Sequence, residues 1–302
     1  MIFDSMQECF SSLNDKIFYA LDHTDLSSVF NSLDEIQGPT LVCGVGGSSV
    51  VAAFLAKVLR EKKHMIATFV YPRDLNYMDL RAYENVISVS YSGNNIGVDV
   101  SLKTDLKKYL FTGHPRNEMT DILYTMKKEQ SYVSISATMV PLSILLMYYK
   151  NDRKLLKEIL EDKISTSSNA FIYEVLSGYE SQTAAVLLES SLIESGMGAC
   201  VVHDKYNFCN GRINLSRHKQ SDLIFFKSDN PLDEMLYNQL QSHYPSIITL
   251  NRKYDDLLIH DYHMTLLSLK LIHQIALNKG KDISAMDELP DNDVFYLYHG
   301  EM

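Results

Sequence analysis

The chain has 302 residues, 46% apolar and 22% charged, enough for one large or two ordinary domains with a sizeable core. Its net charge of -10 argues against binding a bare nucleic-acid backbone and leaves no polybasic patch for an anionic membrane. Cys9, Cys43, Cys200 and Cys209 form no C-x-x-C pair, which speaks against structural zinc and for reduced thiols in a cytoplasmic protein.

Met1 to Phe10 carry Asp4 and Glu8 and no basic stretch, so no signal peptide is expected. Met6, Phe10, Leu13, Ile17 and Leu21 recur at helical spacing. Thr40 to Cys43 reads as a strand, and Ser48 or Ser49 as the cap of a helix through Leu59. Strands are predicted at 66–71, 86–90 and 109–112, a helix over 118–128, a last strand at 131–134 and a helix over 141–149. The apolar run 139–149 is too short to span a membrane. After a charged segment, 152–162, Ser165 to Asn169 reads as a linker. The pattern then restarts with strands at 171–176, 199–203, 222–226 and 246–250 and helices at 182–195, 233–241 and 263–278. Short strands alternating with helices predict an α/β protein with parallel sheets, in two halves spanning 1–155 and 165–302.

Two predicted strands end unusually. Cys43-Gly-Val-Gly-Gly-Ser-Ser49 is a glycine-rich strand-to-helix turn, where the backbone can approach a ligand and the helix directs free N–H groups at an anion. Ser90-Tyr-Ser-Gly-Asn-Asn95 supplies hydroxyls and amides, which donate hydrogen bonds without net charge. Ligands of open parallel sheets sit beyond such strand ends. Together the two loops predict a site for a phosphate monoester. There is no GxxxxGK[ST] loop, and Ser49 interrupts the G-x-G-x-x-G/A spacing, so a nucleotide site ranks below a sugar phosphate.

Gly44-Val-Gly-Gly-Ser-Ser49 and Ser90-Tyr-Ser-Gly-Asn-Asn95 resemble the phosphate loops of sugar isomerase (SIS) domain proteins. The likeness is nearest to the phosphoglucose/phosphomannose isomerase branch and the isomerase half of glucosamine-6-phosphate synthase. It implies two flavodoxin-like three-layer αβα sandwich (SIS) domains, a sugar-phosphate ligand, no cofactor or metal, and a homodimer or higher homo-oligomer with active sites near its interfaces. It also implies phosphate contacts from Gly46, Gly47, Ser48, Ser90, Ser92, Gly93 and Asn95, the last replacing the family's threonine.

Aldose–ketose isomerisation needs a base that moves a proton between C1 and C2 and groups that stabilise an enediolate. The resemblance carries the base onto Glu194, at the end of a helix; an ordinary solvated carboxylate is the competing reading. It places Asn210 where the family has a ring-opening histidine, and asparagine cannot exchange a proton near neutral pH. His203 and His218 are the nearest substitutes, and Arg212 suits a substrate-facing cation. Glu129 to Thr138 is similar to the family's segment lining the sugar pocket, with Ser134 on the sugar; ordinary helix-end and strand-end roles stand equally. No lysine follows in 286–293 to match the family's C-terminal one. The reading is therefore an aldose–ketose isomerase, or an amino-sugar phosphate isomerase or deaminase. The alternative is a phosphosugar-sensing regulator without turnover.

Overall fold

Thr40 to Cys43 and Asn85 to Val89 are buried at every position. Strands apolar on both faces are stable only when both faces are covered, the signature of a parallel sheet. The computed structural model describes residues 4–218 and 220–285, without the side chains of residues 215, 217 and 218. By internal contacts the chain divides after Leu156, with Ser284 and Ala285 belonging to the first unit.

The first unit opens with α1 (Met6–Ser11), α2 (Leu13–His23) and α3 (Leu26–Glu35). Its sheet contains β1 (Thr40–Cys43), β2 (Ala67–Val70), β3 (Asn85–Val89), β4 (Lys107–Thr112) and β5 (Thr120–Leu123) in the order β2-β1-β3-β4-β5. Every pairing is parallel. The connecting helices are α4 (Gly47–Lys63) and α5 (Ile96–Leu102), and α6 (Ser136–Lys150) follows the sheet. Leu41, Cys43, Val70, Leu75, Val86 and Val100 form one of its buried clusters.

The division falls within α7 (Arg153–Glu161). The second unit has β6 (Ile172–Ser177), α8 (Gln182–Glu194), β7 (Ala199–Asp204), α9 (Lys205–Cys209), β8 (Ser221–Lys227), α10 (Pro231–Leu240), β9 (Ile247–Asn251) and α11 (Leu257–Asn278). Its sheet is also wholly parallel, in the order β7-β6-β8-β9. The first strand of each sheet thus lies between the second and the third. Leu176, Phe208, Leu223, Phe225 and Leu240 are fully buried together.

Four expectations are corrected. The helix predicted over 118–128 is instead strand β5, pairing Thr120–Leu123 with Tyr109–Thr112. The open edge of β4 offers a hydrogen-bond ladder, and the β-branched Thr120 and Ile122 suit it better than a helix. Residues 131–134 form no strand. The N-terminal helix is two helices meeting at Ser12, whose Oγ donates to the Glu8 carbonyl at 2.6 Å. Gly46, rather than Ser48 or Ser49, occupies the N-cap of α4, and Ser49 Oγ donates back to the Gly46 carbonyl at 2.6 Å. Helix α5 lies in a stretch for which the pattern predicted no element.

Candidate functional site

The chain crosses from β1 to β2 on one side and returns to β3 on the other. Ligand crevices in open α/β sheets form at such reversals, beyond the carboxyl ends of the strands. Cys43 is paired with Ser88, so the loops after β1 and β3 leave adjacent strands at one edge of the sheet.

The loop after β1 is built by glycine. Gly46 has φ 54° and ψ -132°, a conformation L side chains avoid. It turns the chain into α4, a 17-residue helix with no side-chain cap, where Ser48 N and Ser49 N donate to the Val45 and Gly46 carbonyls at 3.0 and 2.9 Å. A Cβ on Gly47 would lie 2.5 Å from Thr138 Oγ1 and 2.7 Å from Ser134 Cβ. Ser134 therefore abuts the glycine loop. Ser48 is half-buried, and its hydroxyl has no partner among the described residues.

The segment carrying Ser134 is held by Glu129. Its carboxylate accepts from Ile135 N and Ser136 N, both at 3.0 Å, and from Ser136 Oγ at 2.6 Å, and it pairs with Lys16 Nζ at 3.2 Å. This explains the backbone between Glu129 and α6: the carboxylate caps that helix in place of a strand.

In the loop after β3, Ser90 is 2% exposed and its N–H donates to the Phe111 carbonyl at 3.1 Å. Ser92 is exposed, and its Oγ accepts from Asn94 N at 3.3 Å. Gly93, at φ 68°, donates to the Ser90 carbonyl at 3.1 Å. Asn95 caps α5: its Oδ1 accepts from Val98 N at 3.1 Å, and its Nδ2 donates to the Val89 carbonyl at 3.2 Å. Its amide is thus held by the backbone on both sides. The signal for this cap was present in Asn95 followed by Ile96, Val98 and Val100 with Asp99 in the first turn.

Glu194, Asn210 and Arg212 belong to the second unit. Glu194 is half-buried at the end of α8 and accepts from Ser190 Oγ at 2.6 Å. Burial pushes its carboxyl above the ordinary range, only partly opposed by Ser190. Asn210 follows α9 and is exposed, as is Arg212. His203 is buried, with Nε2 3.6 Å from Glu174 Oε2 and its ring against Phe208. It is a core histidine. The His218 side chain and residues 286–293 lie outside the described residues.

Glu174 is itself buried and accepts from Ser221 Oγ at 2.5 Å and Tyr244 OH at 2.9 Å. Burial works to raise its carboxyl, but His203, Ser221 and Tyr244 outweigh it and hold the group below its usual range. The second sheet has its own cleft, about 390 Å³, lined by Ser177, Gly178, Tyr179, Gln182, Glu189 and Asp204 among others. There a Cβ on Gly178 would collide with the Glu180 carboxylate, which pairs with Lys205 Nζ at 2.6 Å. The turn after β6 is thus filled by the chain's own anion.

Among the described residues no three His, Cys, Asp or Glu side chains are placed to hold a metal ion. Among them, too, no helix is long and apolar enough to cross a membrane.

No protein-family model and no curated protein sequence matches the chain. Solved structures do. Tagatose-6-phosphate ketose/aldose isomerase from Escherichia coli superposes with a TM-score of 0.74 at 14% identity, covering 94% of this chain and 96% of that one. Glucosamine-6-phosphate deaminase from Thermotoga maritima gives 0.70 at 15%, covering 93% and 98%. The C-terminal domain of glucosamine-fructose-6-phosphate aminotransferase from Francisella tularensis gives 0.70 at 12%, covering 93% and 96%. At these identities the likeness shows a shared fold: the chain has the architecture of phosphosugar isomerase and SIS domain proteins.

Proposed function

We propose that the chain binds a sugar phosphate monoester on the loops after β1 and β3, with each sheet and its helices forming one flavodoxin-like sandwich. The observation that carries this reading is the junction itself. Two loops leave adjacent paired strands at a topological reversal, one glycine-built ahead of a long helix, the other rich in neutral donors. That similar folds carry names of phosphosugar enzymes supports it. The phosphate contacts are Gly46, Gly47, Ser48, Ser90, Ser92, Gly93 and Asn95, with Ser134 on the sugar.

The reaction is aldose–ketose isomerisation of a hexose or amino-hexose phosphate, or the related deamination. Glu194 takes the proton from C2 of the open-chain aldose as the C1 carbonyl becomes an enediolate and returns it to C1, while the O2 proton passes to O1, to give the ketose. A carboxyl raised by burial is suited to both halves of this shuttle. The family resemblance assigns Asn210 and Arg212 to the sugar. The protein works in the cytoplasm as a homodimer or larger homo-oligomer, which light scattering tests.

A second reading, a sensor that binds without turnover, is favoured by Asn95, whose amide is engaged by backbone, and by Asn210 in place of a histidine. One experiment separates the two. The full chain is incubated with fructose-6-phosphate or glucosamine-6-phosphate in D2O and C–H exchange is followed by NMR. Exchange that disappears in Glu194→Gln while binding persists supports the enzyme. Binding without exchange in the native protein supports the sensor. No binding of any sugar phosphate overturns both.

A further inference from the structure

Arg116 reaches the loop after β3 from the connection between β4 and β5. Its Nη1 donates to the Gly93 carbonyl at 3.0 Å, and a Cβ on Gly93 would lie 3.5 Å from Arg116 Cγ. The arm that delivers it is fixed. Arg116 N donates to Asp121 Oδ2 at 2.8 Å. Thr112 Oγ1 and Gly113 N both donate to the Tyr91 carbonyl, at 3.2 and 3.1 Å. The His114 ring stands edge-on to Tyr91, 5.1 Å between centroids. On its other side Arg116 Nε lies 3.5 Å from the Glu118 carboxylate, a side chain 56% exposed. An ion pair this open is screened by water and weak, and Asp121, which accepts from Arg116 N, is the second carboxylate beside the guanidinium.

The loop's carbonyl is therefore turned to a cation, while its N–H groups at Gly93 and Asn94 are spent on Ser90 and Ser92. We infer that Arg116 is a positioning residue of the sugar-phosphate site: it turns the Gly93 carbonyl toward itself and supplies the fixed positive charge that the neutral donors lack. The inference rests on the phosphosugar reading and sharpens its ligand class, to doubly charged esters over singly charged ones.

Calorimetric titration of the full chain with glucose-6-phosphate and with glucose-6-sulfate at pH 7.5 tests this. At that pH the phosphate carries nearly two charges and the sulfate ester one. Relative to the native chain, Arg116→Gln is expected to bind the phosphate about tenfold more weakly, the loss of one charge-assisted interaction, and the sulfate with a much smaller loss. Arg116→Lys should recover most of the phosphate affinity. Glu118→Gln, at an exposed position that folding tolerates, should tighten phosphate binding about twofold at low salt. Equal losses for both esters indicate a merely structural arginine and overturn the inference. So does native-like phosphate binding by Arg116→Gln, or, where that variant does not fold, unchanged affinity in Glu118→Gln. A native chain that binds no sugar phosphate overturns the phosphosugar reading instead.

Discussion

Ser134 lies against the α-carbon of Gly47, so close that a methyl group there would sit 2.7 Å from its Cβ. Two segments 87 residues apart in sequence thereby meet at the turn between β1 and α4. Gly47→Ala is expected to force them apart, because Thr138 Oγ1 on the same side is tied to the Ser134 carbonyl at 3.1 Å and cannot simply swing away. Overpacking of this kind costs about 1–3 kcal/mol, readable as a lowered urea midpoint. Sugar-phosphate affinity should fall in parallel.

Glu129 gathers Ile135, Ser136 and Lys16, the last from 113 residues away. Glu129→Ala strands these donors in a buried place and should destabilise the chain by about 3–5 kcal/mol in denaturant titrations. Glu129→Gln keeps an acceptor oxygen and should cost distinctly less. Equal losses for the two would show that the carboxylate charge carries the effect.

Asn95→Ala should cost about 1 kcal/mol through loss of the α5 cap, and Asn95→Thr should retain most of it, since a hydroxyl also caps. Thermal melts measure the stability, and phosphate titration of the same proteins separates capping from ligand contact. If Asn95→Thr binds phosphate more tightly at unchanged stability, the asparagine is a tuned departure from the hydroxyl loop.

Glu174 and Glu194 should respond to pH with opposite signs. The Glu174 carboxyl is depressed, so its contribution is present above the unfolded value near 4.5 and fades as pH falls through the folded one. Glu174→Gln should therefore lower stability at pH 7, by about 1–3 kcal/mol, with the difference shrinking in acid. The Glu194 carboxyl is raised, so its favourable contribution is present below the unfolded value and is lost as pH rises through the folded one. Glu194→Gln should raise the melting temperature at pH 7 and change it little at pH 4. Melting curves across pH 3–8 check both.

Much of the architecture was legible along the chain because its causes are local. Short, mostly apolar runs such as Thr40–Cys43 and Asn85–Val89 announce buried parallel strands, and glycine and serine clusters mark where they end. The 118–128 segment misled because its charged residues fit a solvated helix. Its fate was decided by an unfilled strand edge on β4, which no window around Thr120 contains.

The sequence by itself determined two parallel α/β sheets and the two loops that close strands β1 and β3, since burial and turn chemistry depend on near neighbours. Tertiary structure alone decided what the polar residues do. Glu129 became a clasp through Lys16, and Arg116 came to the Gly93 carbonyl over 23 residues. A hydrogen bond is set by where its partner ends up, and for these groups the partner comes from another segment of the folded chain.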